Sequence, residues 1–167
     1  YAILFDVGNY DIWGNILMDY KEKYDTAAEN EINTWNEVTL VYSSALKQIN
    51  TKLEILNDEF HHVHKYNPIE HIKSRIKTPE SIVKKLKKNG HESTIENMVQ
   101  YVNDIAGIRV ICSFQSDIYR IADIIANQSD VKVIEIKDYI KNPKPSGYTS
   151  YHMHITIPVY LSDKTVD

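Results

Sequence analysis

The chain has few of the residues that cross-link or break a polypeptide: its 167 residues include one cysteine, five glycines and five prolines. The single Cys112 excludes an internal disulfide and a four-cysteine zinc site. The low Gly and Pro content excludes collagen-like and Pro/Gly-rich disordered proteins. No apolar run approaches the ~20 residues of a transmembrane helix, and the start of the sequence lacks the features of a signal peptide. We therefore expect one compact domain in the cytoplasm, without a membrane partner.

Positive charge is scarce in the first 40 residues and concentrated in a later segment. Residues 1–40 carry eight acidic residues against two lysines, whereas residues 71–90 carry seven basic residues against Glu80 alone. The net charge of −4 hides this asymmetry. A local cluster of this kind indicates a bound anion rather than non-specific attraction of the whole protein to DNA or to a membrane.

The first part of the chain is predicted to be helical from about Tyr10 to Tyr66, and residues 1–66 are assigned to a helical N-terminal region. Apolar residues recur there at spacings of three and four, which places them in one stripe along a helix: Val38, Tyr42, Ala45, Ile49, Leu53, Leu56 and Phe60. The stripe either packs on the protein's own sheet or forms an interface between subunits, and the sequence favours neither.

Residues 67–167 predict an α+β domain with a mixed sheet and flanking helices. Asn67-Pro68 ends the first helix, because a residue before proline is pushed out of the α region. Thr78 and Pro79 suit the N-cap and first position of the next helix, and Gly90 suits its end. The expected order is strand 69–77, helix 79–90, a helix from 93 or 94 to about 102, strand 105–114, helix 116–127, strand 131–137 and strand 151–161.

Three segments carry candidate site residues. The first runs from Ser74 to Ser81 and continues into a lysine-rich helix. Strand alternation puts Arg75 and Lys77 on one face, and Ser81 lies in the first helical turn, where free N–H groups favour anions. Several cations at this spacing suit a polyphosphate, although a solvated basic helix face would explain the helix lysines equally well.

The second segment is Asp104-Ile105-Ala106-Gly107-Ile108-Arg109. Asp104 begins an apolar strand and is placed to hold Mg²⁺, which prefers one or two carboxylates plus substrate phosphates. Arg109 could stack its guanidinium on a base or bind phosphate. An ordinary Asp–Arg ion pair at the sheet edge is the alternative.

The third segment, from Lys137 to His152, joins two strands and interleaves cations with aromatic residues. Such a loop suits a nucleotide, because the rings stack on the base and the charges bind the phosphates. Gly147 would allow the backbone to turn and present Tyr148. The alternative is a long polar hairpin loop.

Together the three segments resemble the RelA/SpoT synthetase domain. The family pattern is a basic strand-helix segment (here SRIKTPESIVKKL), then D-I-A-G-[IVL]-R, then K-D-Y-I-x-x-P-K-x-x-G-Y-x-S-x-H, and all three occur here in that order. The resemblance covers about Tyr66 to Leu161 and is strongest to the stand-alone small alarmone synthetases, which also have NPIEH before the basic strand. It implies a nucleotidyltransferase-palm-like fold. It also implies Mg²⁺-dependent transfer of pyrophosphate from ATP to the 3′-hydroxyl of GTP or GDP, giving (p)ppGpp and AMP in the stringent response.

The resemblance also implies roles for individual residues. Arg75 and Arg109 correspond to the arginines that sandwich the adenine of ATP, and Asp104 to a magnesium-binding aspartate. The ATP phosphates would contact Lys77, Ser81 and Lys85. Tyr148 corresponds to the tyrosine that stacks on guanine, with polar groups around the acceptor nucleotide at Lys137, Lys144 and His152. A homotetramer is common in this family.

Two departures from the family pattern bear on the activity. The family's second acidic residue lies in a V-E-I-Q-I-R-T stretch on the next strand; no such stretch occurs here, and we expect it after Asp167. The sequence also has no His-Asp dipeptide of the kind used by the hydrolase half of long RelA/SpoT enzymes. The resemblance therefore implies synthesis without hydrolysis, and no zinc or manganese site.

Other interpretations stay open at this point. A toxin-type relative would pyrophosphorylate the 3′ end of tRNA, although the acidic first 40 residues disfavour this, and a non-catalytic nucleotide- or RNA-binding module would need no second acid. The preference for GDP or GTP, allosteric control and the role of residues 1–35 do not follow from the sequence.

Overall fold

The computed structural model describes residues 1–8 and 27–166. In the first helix, side chains are described from residue 33 onward. In chain order the elements are β1 (Ala2–Val7), α1 (Ala27–His62), β2 (Ile69–Ile76), α2 (Pro79–Lys88), α3 (Ile95–Tyr101), β3 (Ala106–Cys112), α4 (Gln115–Ala126), β4 (Lys132–Asp138), β5 (Tyr151–Thr156), β6 (Val159–Tyr160) and β7 (Thr165–Val166). The helical prediction for residues 10–26 lies outside the described residues. No helix in the described ranges is long and apolar enough to cross a membrane.

A five-stranded mixed sheet forms the centre of the fold, in the order β2-β3-β1-β5-β4. Strand β1 takes the middle position, antiparallel to β3 and parallel to β5. The α+β class with a mixed sheet agrees with the sequence prediction. The assignment of residues 1–66 to a helical region does not hold for residues 2–7, because these form β1, whose partner strands begin at Ala106 and Tyr151.

One face of the sheet is buried under α1 and α4. The buried side chains of β1 and β3 alternate along each strand, as a half-buried sheet requires. Nearly all of β5 is buried, and the apolar residues of the three strands share one cluster with residues of both helices. The predicted stripe of α1 belongs to this cluster, and each of its seven residues is at most 9% exposed. The stripe therefore packs within its own chain, and its interpretation as a subunit interface was wrong.

Local capping signals set several element boundaries as predicted. The Thr78 hydroxyl accepts a hydrogen bond from the Ser81 amide at 3.3 Å, so Thr78 caps α2 and Pro79 opens it. After α2, Gly90 adopts a φ of 78°, a conformation that glycine tolerates best. The predicted strand 151–161 is instead interrupted after Thr156, because Pro158 has no amide hydrogen to donate to a sheet.

Candidate active site

Polar side chains occupy the sheet face opposite α1 and α4, which we call the open face. The strand registers align them in two rows across all five strands. One row comprises Lys73, Arg109, Leu4, His152 and Lys137, and the next comprises Arg75, Gly107, Asp6, His154 and Glu135. Residues far apart in sequence are thus neighbours on one surface.

The cations of β2 and β3 lack carboxylate partners within the described ranges. Lys73 lies directly opposite Arg109, and like charges in such pairs repel. No described carboxylate forms an ion pair with Lys73, Arg75 or Arg109. A cationic cluster without ion-pair partners on a sheet face is suited to binding an anionic ligand.

Asp104 is held by two lysines from neighbouring elements. Lys77 Nζ lies 2.7 Å from one carboxylate oxygen and Lys85 Nζ lies 2.6 Å from the other. Burial by itself would raise the pKa of Asp104, but the hydrogen bonds and charges of Lys77 and Lys85 hold that pKa below its ordinary value. The alternative of a simple Asp104–Arg109 ion pair is not what the structure shows.

The start of α2 adds a second anion-binding feature beside these lysines. Thr78 donates from its hydroxyl to the Ser81 hydroxyl at 3.0 Å, so Ser81 is oriented at the first turn of the helix. The amide groups of this turn carry partial positive charge. Lys77 precedes α2 and Ser81 lies in its first turn, whereas Lys85 lies in its last turn; the two lysines share Asp104 as their partner.

The loop between β4 and β5 forms an aromatic and cationic cluster. The Tyr148 hydroxyl lies 3.1 Å from Nε2 of His152, and Lys144 Nζ lies 4.6 Å from the ring centroid of Tyr139 and 5.3 Å from that of Tyr148. Gly147 has a φ of 78° and donates to the Lys144 carbonyl at 2.8 Å, which closes the predicted turn. Tyr148 remains 40% exposed, so a face of its ring is available to a ligand.

The two clusters open into one cleft of about 380 Å³. Its charged and aromatic lining comprises Asp6, Lys73, Arg75, Asp104, Arg109, Tyr148 and His152. Lys77 and Lys85 form ion pairs with Asp104, which lines this cleft. Lys137 lies opposite His152 in the sheet. The structure therefore places five of the predicted site residues, Arg75, Asp104, Arg109, Tyr148 and His152, along one cleft, whereas Ser81 and Lys144 are not among its lining residues.

Asp6 is a cleft residue that sequence reasoning missed. It lies on the open face near the end of β1, opposite Gly107; a Cβ at position 107 would come within 3.6 Å of Asp6 Oδ1 and fill the space in front of it. Burial, and next the charge of Asp104, raise the pKa of Asp6 to about 6. The alternation of AILFDV, with an acid as its penultimate residue, was the available signal, but it did not reveal the partner strands.

The donor set suits a hard divalent cation that also contacts phosphate. Two carboxylates, Asp6 and Asp104, line the same cleft, and Mg²⁺ typically takes one or two carboxylates plus substrate oxygens. No cluster of three or more His, Cys, Asp or Glu with metal-binding geometry occurs among the described residues. The arrangement therefore fits Mg²⁺ that arrives with a nucleotide better than a metal held by protein ligands alone.

Comparison with known proteins shows which family the chain is similar to. The profile of the region found in RelA / SpoT proteins matches residues 74–166. The chain is 42% identical over 147 residues to GTP pyrophosphokinase YwaC of Bacillus subtilis, covering 88% of this chain and 70% of that protein.

Solved structures of Bacillus subtilis proteins are also similar. The crystal structure of small alarmone synthetase 2 aligns with a TM-score of 0.67 at 42% identity, and that of small alarmone synthetase 1 bound to its product pppGpp aligns with a TM-score of 0.70 at 26% identity. Each alignment covers 79% of this chain and 66% of the other, so the chain spans about two thirds of these structures. With the matched region covering more than half of its residues, the chain belongs to the RelA/SpoT family.

Proposed function

We propose that this protein is a small alarmone synthetase, which transfers the β,γ-pyrophosphate of ATP to the ribose 3′-hydroxyl of GTP or GDP and releases AMP. The observation that carries this proposal is the meeting of two unlike clusters in one cleft: the cations on β2 and β3, and an aromatic cluster beside β5. Transfer between two nucleotides requires two such half-sites, because phosphoryl chemistry depends on positioning and charge neutralisation.

The cationic half-site is assigned to ATP. Arg75 and Arg109 lie on neighbouring strands of the open face, in adjacent rows, where planar guanidinium groups can stack against an adenine. Lys77, Lys85 and the start of α2 lie beside them and would bind the phosphates. Because both lysines hold Asp104 in the nucleotide-free protein, ATP binding would transfer them from the carboxylate to phosphate oxygens.

The aromatic half-site is assigned to the acceptor nucleotide. Tyr148 offers a half-exposed ring, and Lys144 lies beside it. Burial, followed by the nearby charges of Lys144 and Lys137, lowers the pKa of His152, so its ring is neutral at physiological pH. A neutral imidazole can exchange hydrogen bonds with a base or ribose without adding charge.

Mg²⁺ would be held by Asp104, with Asp6 in the same cleft, and would supply charge neutralisation on the transferring phosphates. Release of Asp104 from Lys77 and Lys85 as those lysines bind phosphate would make its oxygens available. Metal and ATP are therefore expected to bind together.

The proposal is tested by incubating the protein with ATP labelled at its β,γ-phosphates, Mg²⁺ and one acceptor, either GDP, GTP or uncharged tRNA. We expect labelled ppGpp or pppGpp in the first two reactions and no labelled tRNA, with AMP as the co-product. Labelled tRNA would instead identify the toxin-type activity, and no transfer to any acceptor would leave only a nucleotide- or RNA-binding module. Synthesis without hydrolysis and the tetramer stay expectations from the family resemblance, and the cytoplasmic location stays a prediction from the sequence.

Arg109→Lys is expected to weaken the use of ATP although the charge is kept. A lysine cannot reproduce a planar stacked guanidinium, and a stacking contact worth about 0.5–2 kcal/mol corresponds to a rise of roughly 2- to 30-fold in the KM for ATP. The measurement is KM for ATP at saturating acceptor. The matched control is Arg120→Lys, since Arg120 lies 4.8 Å above the Phe60 ring, on helix α4. An unchanged KM for ATP in Arg109→Lys would contradict the stacking role.

A further inference from the structure

The loop between β4 and β5 carries the aromatic half-site and is closed by backbone hydrogen bonds. We call residues 139–150 the acceptor loop. At its base the Tyr139 amide donates to the Ser150 carbonyl at 2.9 Å. Near its tip the Lys144 amide donates to the Tyr148 carbonyl at 3.1 Å. These bonds hold the two sides of the loop together, but a bond within the loop does not attach it to the rest of the protein.

Asp138, the last residue of β4, supplies such an attachment. Its Oδ1 accepts hydrogen bonds from the amides of Ile140 at 3.0 Å and Lys141 at 2.9 Å. The Tyr119 hydroxyl, on α4, lies 3.0 Å from its Oδ2 and 3.2 Å from its Oδ1. Burial by itself would raise the pKa of Asp138, but these hydrogen bonds hold that pKa below its ordinary value. The ionised carboxylate therefore joins the first turn of the acceptor loop to a helix on the opposite face of the sheet.

Tyr119 contacts the residues on both sides of the acceptor loop. Asp138 precedes the loop, and Tyr151, the first residue of β5, follows it. The Tyr119 ring packs edge-on against the Tyr151 ring, with the two centroids 5.4 Å apart. Lys141 Nζ lies 5.2 Å from the centroid of the Tyr119 ring. One side chain of α4 thus holds the start and the end of the loop.

Tyr139 connects this attachment to the groups assigned to the acceptor nucleotide. Its ring lies edge-on to that of His152, with centroids 5.3 Å apart, and 6.2 Å from that of Tyr148. Lys144 Nζ lies 4.6 Å from the centroid of the same ring. The main chain of Tyr139 is enclosed in the turn that Asp138 closes by bonding the amide two residues further on. A change at Asp138 therefore moves the ring around which the aromatic half-site is built.

We infer that Asp138 is a positioning residue for the acceptor nucleotide: with Tyr119 it holds the acceptor loop in the conformation that receives GDP or GTP. The inference rests on the proposed function. Asp138 is not among the described residues that line the cleft, so it acts through Tyr139 and not by contact with the ligand. Without the carboxylate the first turn of the loop loses its acceptor and adopts other conformations. The apparent affinity for the acceptor then falls with the fraction of protein in the competent conformation.

Asp138→Ala is expected to weaken the binding of GDP and GTP and to spare that of ATP. If the competent conformation falls to about a tenth of the protein, the Kd for either acceptor rises about tenfold, while the Kd for ATP stays within about twofold. Each Kd is measured by calorimetry with one nucleotide and Mg²⁺, so no turnover is needed. The matched control is Asp130→Ala, which removes a carboxylate just before β4 and its 2.9 Å ion pair with Lys52, and is expected to change no Kd.

Tyr119→Phe tests the link to α4 by a milder change. It removes the hydroxyl and keeps the ring against Tyr151, so the fold is expected to be retained. The Kd for GDP is expected to rise, and adding this substitution to Asp138→Ala is expected to cause no further rise, because the contact is already lost. A substitution that only destabilised the protein would lower the melting temperature and the number of binding sites but not change the Kd.

Wild-type affinity for GDP and GTP in either folded variant overturns the inference, as does an equal loss of affinity for ATP. A wild-type protein that does not bind GDP or GTP, or that binds them and transfers no pyrophosphate, would instead overturn the proposed function.

Discussion

Asp104→Asn is expected to reduce pyrophosphate transfer at least 100-fold, which is about 2.7 kcal/mol of transition-state stabilisation. Asn retains the size of the side chain but has lost the negative charge that would hold Mg²⁺ beside the phosphates. ATP binding is expected to weaken less, because Lys77 and Lys85 are then free of their carboxylate partner and can bind the phosphates. Turnover and ATP binding measured at several Mg²⁺ concentrations separate these effects.

The ion pairs of Asp104 also make a stability control necessary. Losing two charged hydrogen bonds of 2.7 and 2.6 Å in a partly exposed site is expected to lower the free energy of unfolding by about 1–3 kcal/mol. Asp130→Asn is the matched control, since it removes the exposed Lys52–Asp130 ion pair of 2.9 Å. Wild-type turnover in Asp104→Asn would reduce Asp104 to a structural partner of the two lysines.

Tyr148→Ala is expected to weaken the use of the acceptor nucleotide, GDP or GTP, and to leave the use of ATP nearly unchanged. Stacking of a base on an aromatic side chain is worth ~1–3 kcal/mol, so KM for GDP or GTP is expected to rise roughly 5- to 150-fold. KM for ATP is expected to stay close to the wild-type value, because Tyr148 lies beside β5 and not beside the cations of β2 and β3. The measurement is KM for each nucleotide with the other saturating.

Two further variants isolate the contribution of the ring. Tyr148→Phe loses the hydrogen bond to His152 but keeps the aromatic face, and is expected to retain most of the acceptor affinity. Tyr160→Ala removes a tyrosine that is 78% exposed on β6 and is expected to change neither KM. Equal losses for ATP and the acceptor in Tyr148→Ala would contradict the assignment of the half-sites.

Local features of the site were predictable because their signals lie within a few residues. The Thr78 cap, the Pro79 helix start and the turn at Gly147 each depend on the backbone preferences of one or two residues. The pairing of Asp104 with Lys77 and Lys85 was harder to predict. The family resemblance implied all three residues for one site, but it did not indicate that the lysines pair with the carboxylate when no nucleotide is bound.

The position of β1 could not be predicted from the sequence by such signals. AILFDV alternates as a half-buried strand does, but its pairing with β3 and β5 depends on residues from Ala106 onward, far away along the chain. Strand register is decided by the complementary faces of distant strands, which a local pattern does not specify. For the same reason the sequence did not identify Asp6 as a site residue, because its importance follows from the cleft that β1 helps to line.

The central place of β1 also determines when the cleft can form during folding. The Cys112 amide donates to the Tyr1 carbonyl, and His154 bonds to Gly8 across 146 residues of chain. Contacts of such large sequence separation form slowly, because long loops must close first. During synthesis on the ribosome β1 must wait, unpaired on both edges, until β3 and then β5 have been made. The two halves of the sheet are joined only after β5 has emerged, so the protein acquires its reaction site late in folding.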